Sequence, residues 1–339
     1  MQKHIGKQSI RFENHPSILS SAAVAGKKES MGPLTGDFDF ISKDTKFGQD
    51  SWEKAESKMQ ELALDHARDK IGLHNSDIDI LFAGDLLNQC ISSSFSLRGT
   101  GIPFLGLYGA CSTMAESLLL AGITVDGGYA GTAAALTSSH FASAERQYRF
   151  PLVYGGQRTP TAQWTVTGSG CAIVGKADTG PYLNAATWGQ IVDYGIKDAN
   201  NMGAAMAPAA YDTIKRHLED LSVAPDHYDL IVTGDLGKVG KQVVPDFFKD
   251  DGVQLNNYND CGCMIFDLEK QDVHAGGSGC GCSAITLCGH ILKQMKAGKL
   301  RNVLFCATGA LLSPVSTQQG ESVPGVCHAI SIGVEKWNI

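Results

Sequence analysis

Asp79-Ile80-Leu81-Phe82-Ala83-Gly84-Asp85-Leu86 returns as Asp229-Leu230-Ile231-Val232-Thr233-Gly234-Asp235-Leu236, 150 residues further on. Each copy is a short apolar run closed by glycine, an acid and leucine. Such a run reads as a strand buried on both faces. A second pair lies downstream. Cys111-Ser112 opens a helix-like run and is followed 26 residues later by Thr137; Cys282-Ser283 opens another and is followed 26 residues later by Thr308. The chain therefore carries one strand–turn–helix–strand unit twice. Alternating strands and helices imply a mostly parallel sheet covered on both faces. Two such units stacked together give an α/β fold of five layers, α/β/α/β/α, whose shared middle layer is the two cysteine-led helices. A site is expected where equivalent strand ends meet.

Outward from these passages, the halves divide as residues 1–176 and 177–339. In the first, a strand near Ser20–Val24 precedes a helix over 51–71, capped by Ser51, with Met59, Leu62, Ala63 and Ala67 on its apolar face. Strands over 78–83 and 102–108 lead to a helix over 111–123 that is apolar on nearly every side, as a fully interior helix is. A strand over 130–137 follows. Residues 140–165 read as irregular and rich in arginine and aromatics, including Arg146, Tyr148, Arg149, Phe150, Tyr154, Arg158 and Trp164. A glycine-punctuated strand over 166–175 closes the half. The second half reads as helix 204–221, strand 230–233, helix 283–295, strand 303–308 and a final strand 328–334. Asp235 and Cys282 are 47 residues apart, against 26 for Asp85 and Cys111, so 245–273 reads as an insertion.

Composition narrows the function. The 339 residues, 43% hydrophobic and 19% charged, suit a large, well-buried two-lobed unit. A net charge of −7 opposes nucleic acid as the main partner, since phosphate binding needs a basic face. No apolar run reaches membrane-span length, and the N-terminus leads into no signal-like apolar segment. The ten cysteines are therefore expected to be reduced thiols.

Cys111 follows Gly109-Ala110 at the end of a strand and starts a buried helix. A helix N-terminus lowers a thiol's pKa and offers free N–H groups to an anion. A buried structural cysteine is the alternative. Gly-Ala-Cys-Ser before an apolar helix, the doubled layout, and Gly168-Ser169-Gly170-Cys171-Ala172 before a strand resemble the thiolase superfamily, and its ketoacyl-synthase-III branch in particular. A narrower likeness lies in Glu145–Leu152, Tyr154–Arg158, Thr161–Gly168, Ala83–Gln89 and Gly276–Cys282. These runs resemble the stage V sporulation protein AD family of endospore formers, over essentially the whole chain.

The superfamily's condensing enzymes pair their cysteine with a histidine and an asparagine that stabilise an oxyanion. Here Gly234-Asp235 follows the second-half strand, and the turn at 276–282 holds Gly, Ser and Cys. The resemblance thus implies binding rather than turnover, with Cys111 a vestigial catalytic candidate. It implies a receptacle for dipicolinate (pyridine-2,6-dicarboxylate) serving its uptake into the developing spore. The pocket is assigned to Asp85, Cys111, Ser112, Thr137, His140 and Phe141. No protein-bound metal or cofactor is expected. Calcium is considered as the dipicolinate chelate, with Asp85 adding an oxygen and Arg158 or Lys238 meeting remaining negative charge. The implied partners are integral membrane proteins of the same uptake complex, on which a peripheral chain would dock at the spore inner membrane, and a second copy of the chain. The rival readings are a ketoacyl-synthase-III-like acyltransferase using Cys111, with His140 or His274 as base, and a structural adaptor with a disused pocket. Gly234–Gln242 resembles a phosphate loop but has five residues between Gly234 and Gly240 and lacks Ser or Thr after Lys241. The Cys-x-Cys units at 261–263 and 280–282 are too tightly spaced for a preferred zinc pattern.

Overall fold

The computed structural model describes residues 3–148 and 158–337. Arg149, Phe150 and Tyr154, with the 149–157 part of the family-like run, lie outside the described residues. The first half contains β1 (Ser17–Ala25), α1 (Trp52–Asp69), β2 (Ile80–Gly84), α2 (Ile91–Leu97), β3 (Phe104–Leu107), α3 (Thr113–Asp126), β4 (Thr132–Ser139), α4 (Phe141–Tyr148) and β5 (Gly168–Gly175). The second contains β6 (Tyr182–Thr187), α5 (Met202–Leu221), β7 (Leu230–Thr233), α6 (Gly237–Asp250), β8 (Tyr258–Asp260), α7 (Cys280–Ile285), β9 (Asn302–Ala310), α8 (Pro314–Gln318) and β10 (Gly325–Gly333).

The strand order is β8-β7-β9-β10-β6-β1-β5-β4-β2-β3. The two half-sheets meet edge to edge, antiparallel, at Tyr182 opposite Ser17. Read from its outer edge inward, each half has the same order, third strand, second, fourth, fifth, first. The repeat seen in the sequence is therefore a repeat in space. β2 lies parallel to β3 and β4, as β7 does to β8 and β9. β5 and β10 run antiparallel to their neighbours, which corrects the mostly parallel expectation. The chain leaves β4 through α4, and β9 through α8, and returns from the same end without crossing the sheet.

α1 covers the outer face of the first sheet. Ser51 accepts from the Lys54 N–H, and Ala55, Met59, Ala63, Leu64 and Ala67 face inward; Leu64 takes the place expected for Leu62. α5 covers the outer face of the second. Between the sheets, α3 packs on β2 and β4 on one side and on β9 and β10 on the other. Its Met114, Leu118 and Leu119 are buried, each contributing about 2 kcal/mol by area removed from water. α7 runs through a π-helical turn, Thr286–Ile291, into Leu292–Lys296. It sits directly on β4 and β5. Gly170 permits this, because a Cβ there would lie 2.5 Å from the Ala284 carbonyl oxygen.

Six of these elements were not expected: α2, rich in serine; α4, inside the stretch read as irregular; β6, which has few β-branched residues; and α6, β8 and α8 in the second half. The insertion at 245–273 is only partly one. α6 and β8 are the counterparts of α2 and β3, so the extra length lies in a longer helix, the Cys261–Met264 turn and the chain up to 276.

Candidate functional site

β3 ends at a tight turn, Ala110–Ser112, that starts α3. Ala110 has φ +52°, a left-handed conformation uncommon outside glycine. Gly309 of β9 presses on this turn from the other half, leaving a Cβ only 2.7 Å from the Gly109 carbonyl oxygen. Cys111 is thereby fixed at the seam between the halves. Its sulfur packs with Leu86, Ala144 and Cys280, with Tyr148 against the group.

Cys111 lies at the floor of a cleft of about 1050 Å³. One wall is polar and tied together. The Tyr148 hydroxyl donates to the Leu86 carbonyl at 2.5 Å and meets the Tyr108 hydroxyl at 2.8 Å. Gln147 Nε2 donates to Asn88 Oδ1 at 2.8 Å. α4 is thus stitched to the turn after β2. The opposite wall, Leu311, Leu312, Pro314 and Val315, is mostly apolar. Thr165 and Ser278 complete the floor. Among the described residues that line the cleft there is no lysine, arginine or histidine, and Glu145 is the one carboxylate, accepting from Thr165 Oγ1 at 3.0 Å.

The twin acids do different work. Asp235 is buried beside Cys111 and accepts from Thr308 Oγ1 at 2.9 Å, the Gly279 N–H at 2.9 Å and Ser278 Oγ at 3.3 Å. Burial raises its pKa to about 6 despite these donors. Burial, then the Asp235 charge, holds the Cys111 thiol well above its ordinary value. The thiolate expected from the helix start is not favoured, because desolvation and a neighbouring anion outweigh half a unit of helix-end charge.

Asp85 lies behind the cleft wall rather than in it. It is fully buried and accepts from the N–H groups of Leu87 and Ser93 and from Ser93 Oγ, at 2.9, 2.9 and 2.6 Å. It folds the turn into α2. Its oxygens are consumed there, so it has none to give a metal in the cleft. Ser112 Oγ donates to the Gly109 carbonyl at 2.6 Å and is buried. Thr137 is buried inside β4. His140 holds the Thr45 carbonyl through Nε2 at 2.8 Å and accepts the Ala142 N–H through Nδ1. Phe141 stacks on Trp164 at 3.8 Å between centroids, on the face of that strand opposite to cleft-lining Thr165. Of the six expected pocket residues, Cys111 lines the cleft; the other five are not among its lining residues. His274 pairs with Asp272, and Arg158 stacks on Trp164 and reaches Asp272. Neither they nor the exposed Lys238 are among the lining residues.

Asn88, Gln147, Tyr148 and the 310–316 segment were not anticipated as site residues. Gln147 and Tyr148 share the cleft-facing side of α4 with Ala144, an i, i+3, i+4 pattern that becomes a signal only once 141–148 is read as a helix.

A profile of the stage V sporulation protein AD family matches residues 6–333. Stage V sporulation protein AD of Bacillus subtilis is 48% identical over 330 residues, covering 97% of either chain. Among solved structures, 3-oxoacyl-[acyl-carrier-protein] synthase III of Aquifex aeolicus superposes with a TM-score of 0.58 at 12% identity, over 94% of this chain and 99% of its own. A variant of OleA from Xanthomonas campestris gives 0.62 at 13% identity, over 94% and 96%. At that identity the likeness shows the fold, which is thiolase-like.

Proposed function

This chain belongs to the stage V sporulation protein AD family, and from that premise we propose that its cleft is a receptacle for dipicolinate rather than a catalytic centre. The observation that carries this reading is the Asp235 carboxylate against Cys111. Where an acyl-transfer centre needs donors toward a developing oxyanion, the buried group behind this floor is an acceptor. The cleft is roomy, half apolar and half hydrogen-bonding, which suits a flat aromatic ring with polar edges.

The ligand's charge is the harder requirement. Dipicolinate is a dianion, and the described lining offers one carboxylate and no cation. A one-to-one calcium chelate is neutral and removes that conflict. Calorimetric titration is expected to give tighter binding with equimolar calcium than with a chelator present. Equal affinities in the two buffers would refute the chelate.

Cys111→Ala is expected to weaken binding by about 1 kcal/mol, the worth of a sulfur–aromatic contact, with little change in melting temperature, because alanine fits the apolar group around it. Wild-type affinity in that variant would take Cys111 out of the site. The transferase reading would gain instead from an adduct on Cys111 after incubation with acyl-CoA, followed by turnover.

No helix among the described residues is long and apolar enough to cross a membrane. A peripheral position at the spore inner membrane would therefore need docking on integral partners of the uptake complex. For self-association, the free edge of β3 is the natural surface: Leu105 there is 52% exposed and Phe95 nearby is 49% exposed.

A further inference from the structure

The turn after β2 is strained where its twin is not. Gln89 and Cys90 both take left-handed backbone, at φ +59° and +49°. Residues with a side chain keep that conformation only where their surroundings enforce it. The turn after β7 has one left-handed residue, Gly237 at φ +61°, and glycine adopts it freely. Strain of this kind gathers where a side chain has to be presented. The residue beside it is Asn88, which is exposed and lines the cleft.

The neighbours of Asn88 fix which way its amide points. Its backbone N–H donates to Gln147 Oε1 at 3.3 Å. A backbone N–H can only donate, so the Gln147 oxygen is the end that meets it. Gln147 Nε2 is then the end that reaches the Asn88 side chain, and at 2.8 Å it must find an acceptor there, Oδ1. Tyr108 lies within reach of the same oxygen. The Asn88 NH₂ is left over and donates to nothing among the described residues.

The hydroxyls of the described lining are spent elsewhere. Tyr148 donates to the Leu86 carbonyl, Thr165 to Glu145 and Ser278 to Asp235. Tyr108 is tied to Tyr148, and Ser313 and Ser316 bond each other. With no cation in that lining, a ligand's carboxylate falls to the neutral amides. Asn200 also has an unbonded side chain there, but nothing orients it. We propose that Asn88 is the specificity-determining residue of the cleft, an inference that rests on the receptacle reading. The strained turn and the Gln147 pin hold an uncharged NH₂ ready for one carboxylate of a pyridine dicarboxylate. An amide suits the chelate, because it donates to a carboxylate oxygen without the net charge that would favour the free dianion.

The test compares calorimetric affinities for pyridine-2,6-dicarboxylate and pyridine-2-carboxylate, each with equimolar calcium, in the wild type, Asn88→Ala and Gln147→Met. The monocarboxylate can engage either end of the site but not both. The wild type is expected to prefer the dicarboxylate. Asn88→Ala is expected to lose about tenfold of that preference or more, the worth of a hydrogen bond to a charged group. A merely loosened turn would weaken both ligands alike and leave the ratio unchanged. Gln147→Met frees the amide to turn over and should lower the ratio about threefold. It decides the matter should Asn88→Ala fail to fold. The wild-type ratio in folded Asn88→Ala, or in Gln147→Met if the first variant does not fold, overturns the inference and leaves the receptacle standing. So does a wild type that binds both ligands equally. Binding of neither ligand by the wild type overturns the receptacle, and the inference with it.

Discussion

Gly170→Ala is expected to destabilise the protein by about 3 kcal/mol or more, as severe overpacking does. The added methyl would lie 2.5 Å from the Ala284 carbonyl oxygen, 2.6 Å from its carbon and 2.9 Å from its Cβ. Two of those atoms are backbone, so no rotamer change relieves the clash. Neither partner has room to retreat. β5 is hydrogen-bonded to β1 on one edge and β4 on the other. α7 is held against the same sheet at a second point, where a Cβ on Gly281 would lie 2.6 Å from the Gly168 carbonyl oxygen. The helix would have to lift, opening the central core along its length. The urea midpoint should fall while the slope of the transition stays the same. Gly36→Ala, which meets nothing within 4 Å, is the control and should stay near wild type.

Stability is expected to fall between about pH 6.5 and about pH 8, and Glu56→Gln should flatten that fall. Burial raises Glu56 to about 8, with the Asp85 charge adding to it, and raises Glu29 and Asp260 to about 7. A carboxyl whose folded pKa lies above its unfolded one keeps a proton that the unfolded chain gives up. Its contribution is complete below the unfolded pKa and is lost as pH rises to the folded one. Buried histidines act in the opposite sense. His217 is lowered to about 3 and His328 to about 4 by burial, so each costs stability as pH falls below its unfolded value of about 6.5. Between about pH 4.5 and 6.5 the two sets oppose each other. Above that the acids act alone, at up to about 1.4 kcal/mol per proton per pH unit. Glu56 accepts from Ser138 Oγ at 3.0 Å and Ser143 Oγ at 2.6 Å. Glutamine can keep one of these bonds while the other hydroxyl turns to accept. Between about pH 6.5 and 8 the variant should lose on the order of 2 kcal/mol less than wild type. Parallel pH profiles for the two proteins would remove Glu56 as the source.

The five layers and the middle pair of helices were legible because they rest on periodicity and repetition, which survive in one dimension. The position of Cys111 was legible for the same reason, as a strand-to-helix junction. The charge state of Cys111 was not, since it depends on burial at the seam and then on Asp235, 124 residues away. Asp85 and Asp235 look equivalent in sequence yet diverge in role. The N–H groups after Asp85 turn back to its own carboxylate, whereas those of Leu236 and Gly237 go to Asp260, at 2.8 and 2.9 Å. That exchange leaves the Asp235 carboxylate to accept from Thr308, Gly279 and Ser278 instead. β8 and Asp260 lie within the stretch read as an insertion, so the difference was hidden there.

The edge-to-edge join at Tyr182 and Ser17, with two helices wedged between the sheets it links, denies the molecule a hinge. A receptor made of two swinging lobes would tighten around its cargo and shrink as it loads. Here the two sheets are joined at Tyr182 and Ser17 and share the middle helices. On the proposed reading of the cleft as a receptacle, selectivity would then be built into the shape and charge of the basin itself.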